Sequence, residues 1–564
     1  MKSLESLRGG VFATVSGRPN RRVVLHGANR RTRWLGIGPI SVLLAGLMLV
    51  AIVPVSLVAA KGTPSQDWPM FHNGPAHLGT NTETHLGYSN VPFLKLAWTA
   101  SYPLTASSGS SPVVAGGVVY IGEGNGKFYA YPVGCNSNGG TCTPAWTATT
   151  GGYIDSAAAV SNGVVYVGSD DNYLYAFAVG CNTGGGTCTP IWKGATDGGV
   201  IVSSPVVVNG VVYIGSGTGL YAFAVGCAGG GGTCTPIWKG ALNAGGISFS
   251  SPAVSGGVVY VGADDGNLYA FAVGCGSGGA TCDPLWVGGT PDTSALYSSP
   301  AVGGGVVYIG SSDGTLYAFA VGGCPATATG GVTPAGTTGL CAPIWVGHTG
   351  GDVSSSPAVS GGVVYVGSAD GKLYAFRVGC ATGGGACSPI WTGATGVAPG
   401  AGVYSSPAVA NGVVYIGSND HNLYAFRVGC ASGGGTCAPI WSYTTGGVVS
   451  SPVISNGVVY VGSTDSKLYA FSLQIAKVIL SPAIASIFAG GSEAYQAEAF
   501  DLRGNDLGNV TSDTTFTITG GRCVGNVCTS RVVGRHAVTA TDGTARGSAT
   551  LIVHRRRFVF GRGR

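Results

Sequence analysis

Residues 250–286 read Ser250-Ser-Pro-Ala-Val-Ser-Gly-Gly-Val-Val-Tyr-Val-Gly-Ala-Asp-Asp-Gly-Asn-Leu-Tyr-Ala-Phe-Ala-Val-Gly-Cys275, a six-residue spacer, then Cys282-Asp-Pro-Leu-Trp286. Variants of this unit, about 47 residues long, run through most of the chain. Its Tyr-Ala-Phe, once Tyr-Ala-Tyr, occurs eight times, at Tyr129, Tyr175, Tyr221, Tyr269, Tyr317, Tyr374, Tyr424 and Tyr469. Its tryptophan also occurs eight times, at Trp98, Trp146, Trp192, Trp238, Trp286, Trp345, Trp391 and Trp441. A fixed period of this length marks a solenoid or a propeller.

Four short segments of each unit read as strands: Ser-Ser-Pro-Ala-Val, Val-Val-Tyr-Val-Gly, Leu-Tyr-Ala-Phe-x-Val and Pro-Ile-Trp. Their β-branched and aromatic residues suit a pleated, half-buried surface. Gly256-Gly257 or Asn411-Gly412 joins the first two, and Asp265-Gly266, Asp313-Gly314 or Asp370-Gly371 the next two. These pairs tolerate the positive φ that tight hairpins demand. No stretch of the repeats has helical apolar spacing. Four antiparallel strands in each of eight units predict an all-β fold, an eight-bladed β-propeller.

The ring must close. A tryptophan strand at 94–99 precedes the first Ser-Ser-Pro, at Ser110, and the last unit, from Ser450, ends without one. The Trp98 strand therefore completes the last blade. The cysteines agree: seven pairs sit between strands three and four, Cys135/Cys142, Cys181/Cys188, Cys227/Cys234, Cys275/Cys282, Cys324/Cys341, Cys380/Cys387 and Cys430/Cys437. The blade without a pair is the one whose third and fourth strands are not joined by a hairpin. Opposed residues of an antiparallel pair are close enough for a disulfide. The glycine-rich spacers lack the histidines and short gaps of a metal site.

Sixteen cysteines that all pair point to an oxidising compartment. Residues 1–34 carry eight basic residues against Glu5, and residues 35–60 carry no charge. They predict a transmembrane anchor with the propeller outside, or an export signal cleaved near Ala60. Residues 61–93, polar and rich in proline and glycine, are expected to wrap the propeller of 94–473. Residues 477–554 alternate in short strands and hold the pair Cys523/Cys528, which suits a small β-sandwich. The tail, 555–564, adds five arginines and reads as solvated. Charged residues make up only 9 % of the chain, against a usual quarter or so. Residues 98–473 hold fourteen acidic and seven basic residues, so no basic stripe exists for nucleic acid.

The repeat Gly-Val-Val-Tyr-Val-Gly-Ser-x-Asp-Gly-x-Leu-Tyr-Ala-Phe followed by tryptophan resembles that of pyrroloquinoline-quinone (PQQ)-like β-propellers. Asp67-Trp-Pro-Met-Phe-His-Asn-Gly-Pro-Ala-His-Leu-Gly79 is similar to the lead-in of such proteins. The C-terminal stretch, with Ala489-Gly-Gly-Ser, Val510-Thr-Ser and Ala540-Thr-Asp-Gly, resembles bacterial Ig-like domains. The resemblance implies the fold, and two functional classes with it. Quinoprotein alcohol dehydrogenases hold PQQ and calcium over the ring axis; other members are non-catalytic scaffolds. The dehydrogenases use adjacent bonded cysteines, carboxylate and amide ligands for calcium, an aspartate base and an arginine or lysine near the quinone. This chain has no Cys-Cys dipeptide and no haem-type Cys-x-x-Cys-His, and Glu123 is the one glutamate within 94–473.

The recurring Asp170, Asp264, Asp265, Asp313, Asp370, Asp420 and Asp465 read as turn residues, and the recurring tryptophans as packing. Residues that break the repeat are the candidates for a site. Asp155 stands where other units have Val202, Phe249, Tyr297 and Tyr404, just before the innermost strand, and Glu123 where most have serine. Asp352, His348 and His421 are further exceptions, expected on loops, and an insert between Cys324 and Cys341 makes one hairpin protrude. No convergent set of acid, base or ligands emerges. The expected function is a non-catalytic, extracytoplasmic binding or scaffolding module with no cofactor, whose partner is a surface protein or a glycan. The alternative is a PQQ- and calcium-dependent dehydrogenase of alcohols or sugars, with Asp155 and Glu123 as cofactor contacts.

Overall fold

The computed structural model describes residues 66–102, 110–135, 140–181, 184–323, 340–396 and 401–555, all within one compact unit. Segment 35–60, Cys324, nearly all of the insert after it and all but the first residue of the basic tail lie outside them. Among the described residues no helix is long and apolar enough to cross a membrane.

The repeats fold into eight sheets, each built on four antiparallel strands. In the third repeat these are Val206–Val208, Val211–Ser216, Gly219–Ala224 and Trp238–Gly240. Asn209 and Gly210 turn the first hairpin at φ +50° and +80°, a pairing that matches strand twist. The ring closes as the sequence requires: Lys95–Ser101 lies against Lys467–Ser472, with Trp98 opposite Ala470. We number the blades 1 to 8 from Ser110 and call the Asp-Gly turn side upper.

Each tryptophan spans two blades. The Trp192 ring lies 5.8 Å from Tyr166 of its own blade and 6.4 Å from Phe223 of the next, and its indole N–H donates to the Val225 carbonyl there at 3.0 Å. All but Trp441 among the eight are at most 5 % exposed. Two residues beyond five of the tryptophans stands a glycine at which the blades nearly touch: a Cβ added at Gly240 would lie 2.8 Å from the Phe271 ring.

The cysteine loops depart from expectation. Six propeller disulfides form, with Cα atoms 5.8 to 6.1 Å apart. The paired cysteines are not opposed across strands three and four, whose ladder begins only at the tryptophan, with Ala222 opposite Trp238. Instead the second cysteine ends a short strand parallel to the outer strand of the preceding blade. Gly232–Cys234 thus pairs with Trp192–Ala195, Trp192 facing Gly232 and Gly194 facing Cys234. An outer strand leaves a row of unpaired backbone groups, and the loop of the next blade covers them. Thr187–Cys188, Ala280–Cys282, Gly385–Cys387 and Gly435–Cys437 repeat the arrangement, Gly140–Thr141 covers the closing strand, and Cys341 bridges to Gly288.

The first of these loops corrects the expected placement of its pair most directly. Cys135 and Cys142 are bonded, but Cys142 does not face Cys135 across a hairpin of blade 1. It follows the two-residue strand Gly140–Thr141, and its N–H donates to the Thr99 carbonyl of blade 8 at 2.7 Å. The second cysteine of every pair is consequently buried, Cys142 at 4 % exposed and Cys188, Cys234, Cys282, Cys341, Cys387 and Cys437 at 2 to 7 %. The physical reason is the unpaired edge: the backbone beside the second cysteine gains more hydrogen bonds on a neighbour's outer strand than within its own glycine-rich loop. Among the described residues strand Trp441–Thr444 has no such cover, because blade 8 carries no cysteine loop. Trp441 is correspondingly only partly buried.

The lead-in lies along the inner strands of the ring. Trp68 exchanges two backbone hydrogen bonds with Val114 (2.8 and 2.9 Å). The carbonyls of Pro69, Pro75, Ala76, Leu78 and Gly79 then accept the N–H groups of Val160, Val254, Val302, Val359 and Val409 at 2.6 to 2.9 Å. Asn81 donates to the Ile454 carbonyl at 2.6 Å. The segment therefore visits blades in chain order at the lower ends of their inner strands, satisfying N–H groups that face the axis. His72 and His77 are buried in it, 3 % and 1 % exposed. Burial holds His72 down to about 4 and His77 to about 3.

The small C-terminal domain has three sheets of three, four and three strands around Val478, Leu480, Tyr495, Leu507, Val538 and Leu551. Here Cys523 and Cys528 do face each other across a hairpin. A polar latch joins the domain to the lower face. The two ring nitrogens of His85 sit 2.7 Å from Glu83 and 2.7 Å from Asp513. Glu83 also accepts the Gly457 N–H of blade 8 at 2.8 Å, and Asn90 donates to the Leu507 carbonyl at 2.9 Å.

Candidate functional site

At the lower end the lead-in residues Gln66, Asp67, Pro69, Asn73, Thr80, Asn81 and Thr82 line an open cavity of about 540 Å³, uncharged but for Asp67; exposed aromatic rings and a carboxylate pair lie at the other end. Two serine rings shape that end. In seven blades the first serine accepts an N–H from its own second strand, as Ser203 does from Gly215 at 3.0 Å. The second serine accepts the N–H of its counterpart one blade back. Ala157 donates to Ser204, Ser204 to Ser251, Ser251 to Ser299, Ser299 to Ser356, Ser356 to Ser406 and Ser406 to Ser451, all at 2.8 to 3.0 Å. The hydroxyl series lacks a member at Ala157, in the blade that carries Asp155.

Directly above the serines stand Asp155, Val202, Phe249, Tyr297, Ser354 and Tyr404. Phe249 and Tyr404 are 53 % and 45 % exposed, and Tyr153 is 55 % exposed beside Asp155. Phe249 and Tyr297 meet edge to face at 5.1 Å. Asp155 and Asp170 come together: burial, and then the charge of Asp155, push the Asp170 carboxyl up. Asp352 is likewise raised, by burial and then by Asp313, and accepts from Ser354 at 2.9 Å.

Other candidates fall elsewhere. Glu123 is 2 % exposed, not at the rim; burial first, then its charge, raise the Tyr102 phenol. His348 ends an outer strand instead of lying on a loop, its Nδ1 3.2 Å from Thr315. His421 takes the left-handed place of a turn glycine, φ +70°. Of the recurring aspartates, Asp265, Asp313 and Asp420 accept the N–H two residues on and a tyrosine hydroxyl four residues on. Asp370 and Asp465 accept Tyr374, Tyr469 and a lysine each. Asp170 and Asp264 do not serve the turns; the next residues, Asp171 and Asp265, do. Asp264 instead accepts from Ser248 at 2.7 Å. Sequence comparison of the units singled out Asp155 but passed over the aromatic neighbours as mere alternatives at its position; their shared place just before the serines was the signal.

The rim does not fit a quinone with calcium. Its two neighbouring carboxylates are flanked by valine, phenylalanine and tyrosine. Among the described residues no lysine or arginine stands at a rim position, and no three His, Cys, Asp or Glu side chains gather as metal ligands.

The family model described as outer membrane protein assembly factor BamB matches residues 95–321, 186–429 and 388–563. No curated protein matches the chain. Among solved structures, quinohemoprotein alcohol dehydrogenase from Comamonas testosteroni is 16 % identical, with a TM-score of 0.54 over 72 % of this chain and 80 % of its own. Alcohol dehydrogenase ADHIIG from Pseudomonas putida HK5 is 14 % identical, TM-score 0.52, with the same coverage of 72 % and 80 %. BamB from Moraxella catarrhalis is 15 % identical, TM-score 0.48, over 67 % and 97 %. At these identities the likeness is one of fold.

Proposed function

The chain belongs to the BamB family of PQQ-like β-propellers, and from that premise we propose that it is a non-catalytic binding module working outside the cytoplasm. The observation that carries the reading is the upper mouth: exposed aromatic rings and a carboxylate pair above inner strands that serine hydroxyls tie together from blade 2 to blade 8. Aromatic faces and carboxylates recognise surfaces, either a sugar's C–H face and hydroxyls or a peptide's basic and aromatic side chains. The disulfides support an oxidising compartment. Residues 35–60 then serve as membrane anchor or as an export signal removed near Ala60.

The test uses the oxidised protein. Arrays of saccharides and peptides are probed with the chain and with Phe249→Ala/Tyr404→Ala, while PQQ with calcium is titrated by calorimetry and dye reduction is assayed with alcohols and sugars. Array ligands lost on the double substitution, with no heat and no turnover, are expected. Micromolar PQQ binding with turnover refutes the reading and restores the dehydrogenase alternative.

A further inference from the structure

Charge is divided between the two faces of the ring. Thirteen of the fourteen acidic residues in 98–473 lie on upper turns and on the links that enter inner strands; Asp283, in a cysteine loop, is the exception. The five lysines lie on or reach toward this face, where Lys239, Lys372 and Lys467 are each paired with an aspartate already there. The two arginines, Arg377 and Arg427, end third strands on the lower side. The upper face is thus acidic with exposed rings at its centre, and the ligand it complements is cationic and aromatic.

The chain itself carries such a segment. Residues 555–564 read Arg-Arg-Arg-Phe-Val-Phe-Gly-Arg-Gly-Arg, with five arginines, two phenylalanines and no acid. The strand before it, Ala545–His554, follows Asp542, which feels the charges of Asp513 and His85 at the latch, and ends where His554 pairs with Phe488. Its ten residues span about 30 Å. The latch at its near end holds the lower face, and Tyr404 stands another seven residues, about 23 Å, above the turn at Asn411. Ten tail residues reach at most about 36 Å, too short to return past the domain and the ring to their own mouth. We infer that the arginine- and phenylalanine-rich tail of one copy docks in the acidic, aromatic upper mouth of a second copy, joining chains head to tail. This rests on the upper mouth being the binding surface. The contact uses different surfaces on the two partners, so it builds open chains or rings instead of a closed symmetric pair.

Three proteins test it by sedimentation velocity: the unmodified chain, a tail variant (Arg555→Gln, Arg556→Gln, Arg557→Gln, Arg562→Gln, Arg564→Gln) and a mouth variant (Asp155→Asn, Tyr404→Ala). The unmodified chain should self-associate with rising concentration at about 0.1 M salt and dissociate at about 1 M, where the screening length falls from roughly 10 to 3 Å. Each variant alone should stay monomeric, and their mixture should form a 1:1 complex, since one intact mouth and one intact tail remain. An unmodified chain that stays monomeric, or variants that associate as it does, overturns the inference. A labelled peptide of residues 555–564 separates the two claims. If it binds the tail variant but not the mouth variant while the chain stays monomeric, the second-copy assignment falls and the mouth stands. If it fails to bind and array ligands ignore the mouth substitutions, both fall.

Discussion

Removing one cysteine loop's disulfide should loosen the neighbouring blade more than its own. Cys227 and Cys234 close an eight-residue loop whose last three residues, Gly232–Cys234, are bonded to the outer strand of blade 2. In the chain-entropy model, opening a loop of that size costs about 2.5 kcal/mol, or about 70-fold in the local opening equilibrium. Native-state hydrogen exchange on Cys227→Ser/Cys234→Ser reads this directly. Amides of Trp192–Ala195 should lose protection by up to that factor, while the inner strands of blades 2 and 3 keep theirs. Strand Trp441–Thr444, which lacks a cover, should already show the weakest protection of any outer strand in the unmodified chain. Unchanged exchange in Trp192–Ala195, with loss confined to Gly219–Ala224 and Trp238–Gly240, would mean that the disulfide staples its own hairpin and that the inter-blade role is wrong.

Three further outcomes follow from buried polar groups. Ala157→Ser supplies the acceptor missing from the serine ring, for the Ser111 N–H, and should raise stability by about 1 kcal/mol in thermal unfolding; Ser204→Ala should lower it by about 1–3 kcal/mol by orphaning the Ala157 N–H. His72 and His77 are held neutral, their folded pKa values lowered from 6.5 to about 4 and about 3, chiefly by burial. Their contribution is complete above about 6.5 and fades as pH falls toward 3, so the lead-in should become protease-sensitive in acid, and His72→Gln with His77→Gln should flatten that limb. His85 runs the other way. Asp513 and then Glu83 raise it from 6.5 to about 10, so its contribution is complete below 6.5 and fades as pH rises toward 10. His85→Gln should loosen the C-terminal domain, read by exchange at Asp506–Asn509, more at pH 6 than at pH 10; equal loosening at both would rule out the charged latch.

The blade was legible because each strand and turn is specified locally, by alternation and by Asp-Gly and Asn-Gly pairs, and ring closure followed from counting Trp98 against an unfinished last unit. What lay between blades was not legible. The parallel strand at Gly232–Cys234 is a contact with residues about forty positions earlier, and a glycine-rich spacer carries no period to announce it. Cys142 was placed in its own hairpin for the same reason, since nothing near it in the sequence points to Thr99. The lead-in's course was hidden for a related reason: it binds through its carbonyls, which every residue has, so Pro69 and Gly79 look no different from loop residues. Asp170 was misread as a turn residue because adjacent aspartates are indistinguishable in sequence, although only Asp171 reaches the turn N–H and the tyrosine.

The rim shows why variation between repeats is informative here. The second serine holds the blade behind it, the tryptophan the blade ahead, and the outer-strand glycine makes room for a neighbour's phenylalanine. A change at such a residue in one unit is felt by its neighbour. In blades 2 to 7 the position before the first serine is free of that constraint, and there the chain places aspartate, valine, phenylalanine, two tyrosines and, in blade 6, Ser354; in blade 8 it holds the buried Val449. Replacing Phe249 and Tyr404 by serine, which blade 6 already tolerates, should therefore shift unfolding by less than about 0.5 kcal/mol each, the ordinary range for exposed positions, while removing ligand binding. A loss of more than about 2 kcal/mol in calorimetric unfolding would mean that the aromatic residues hold the ring together, and the rim would then be part of the packing and not a surface shaped for a partner.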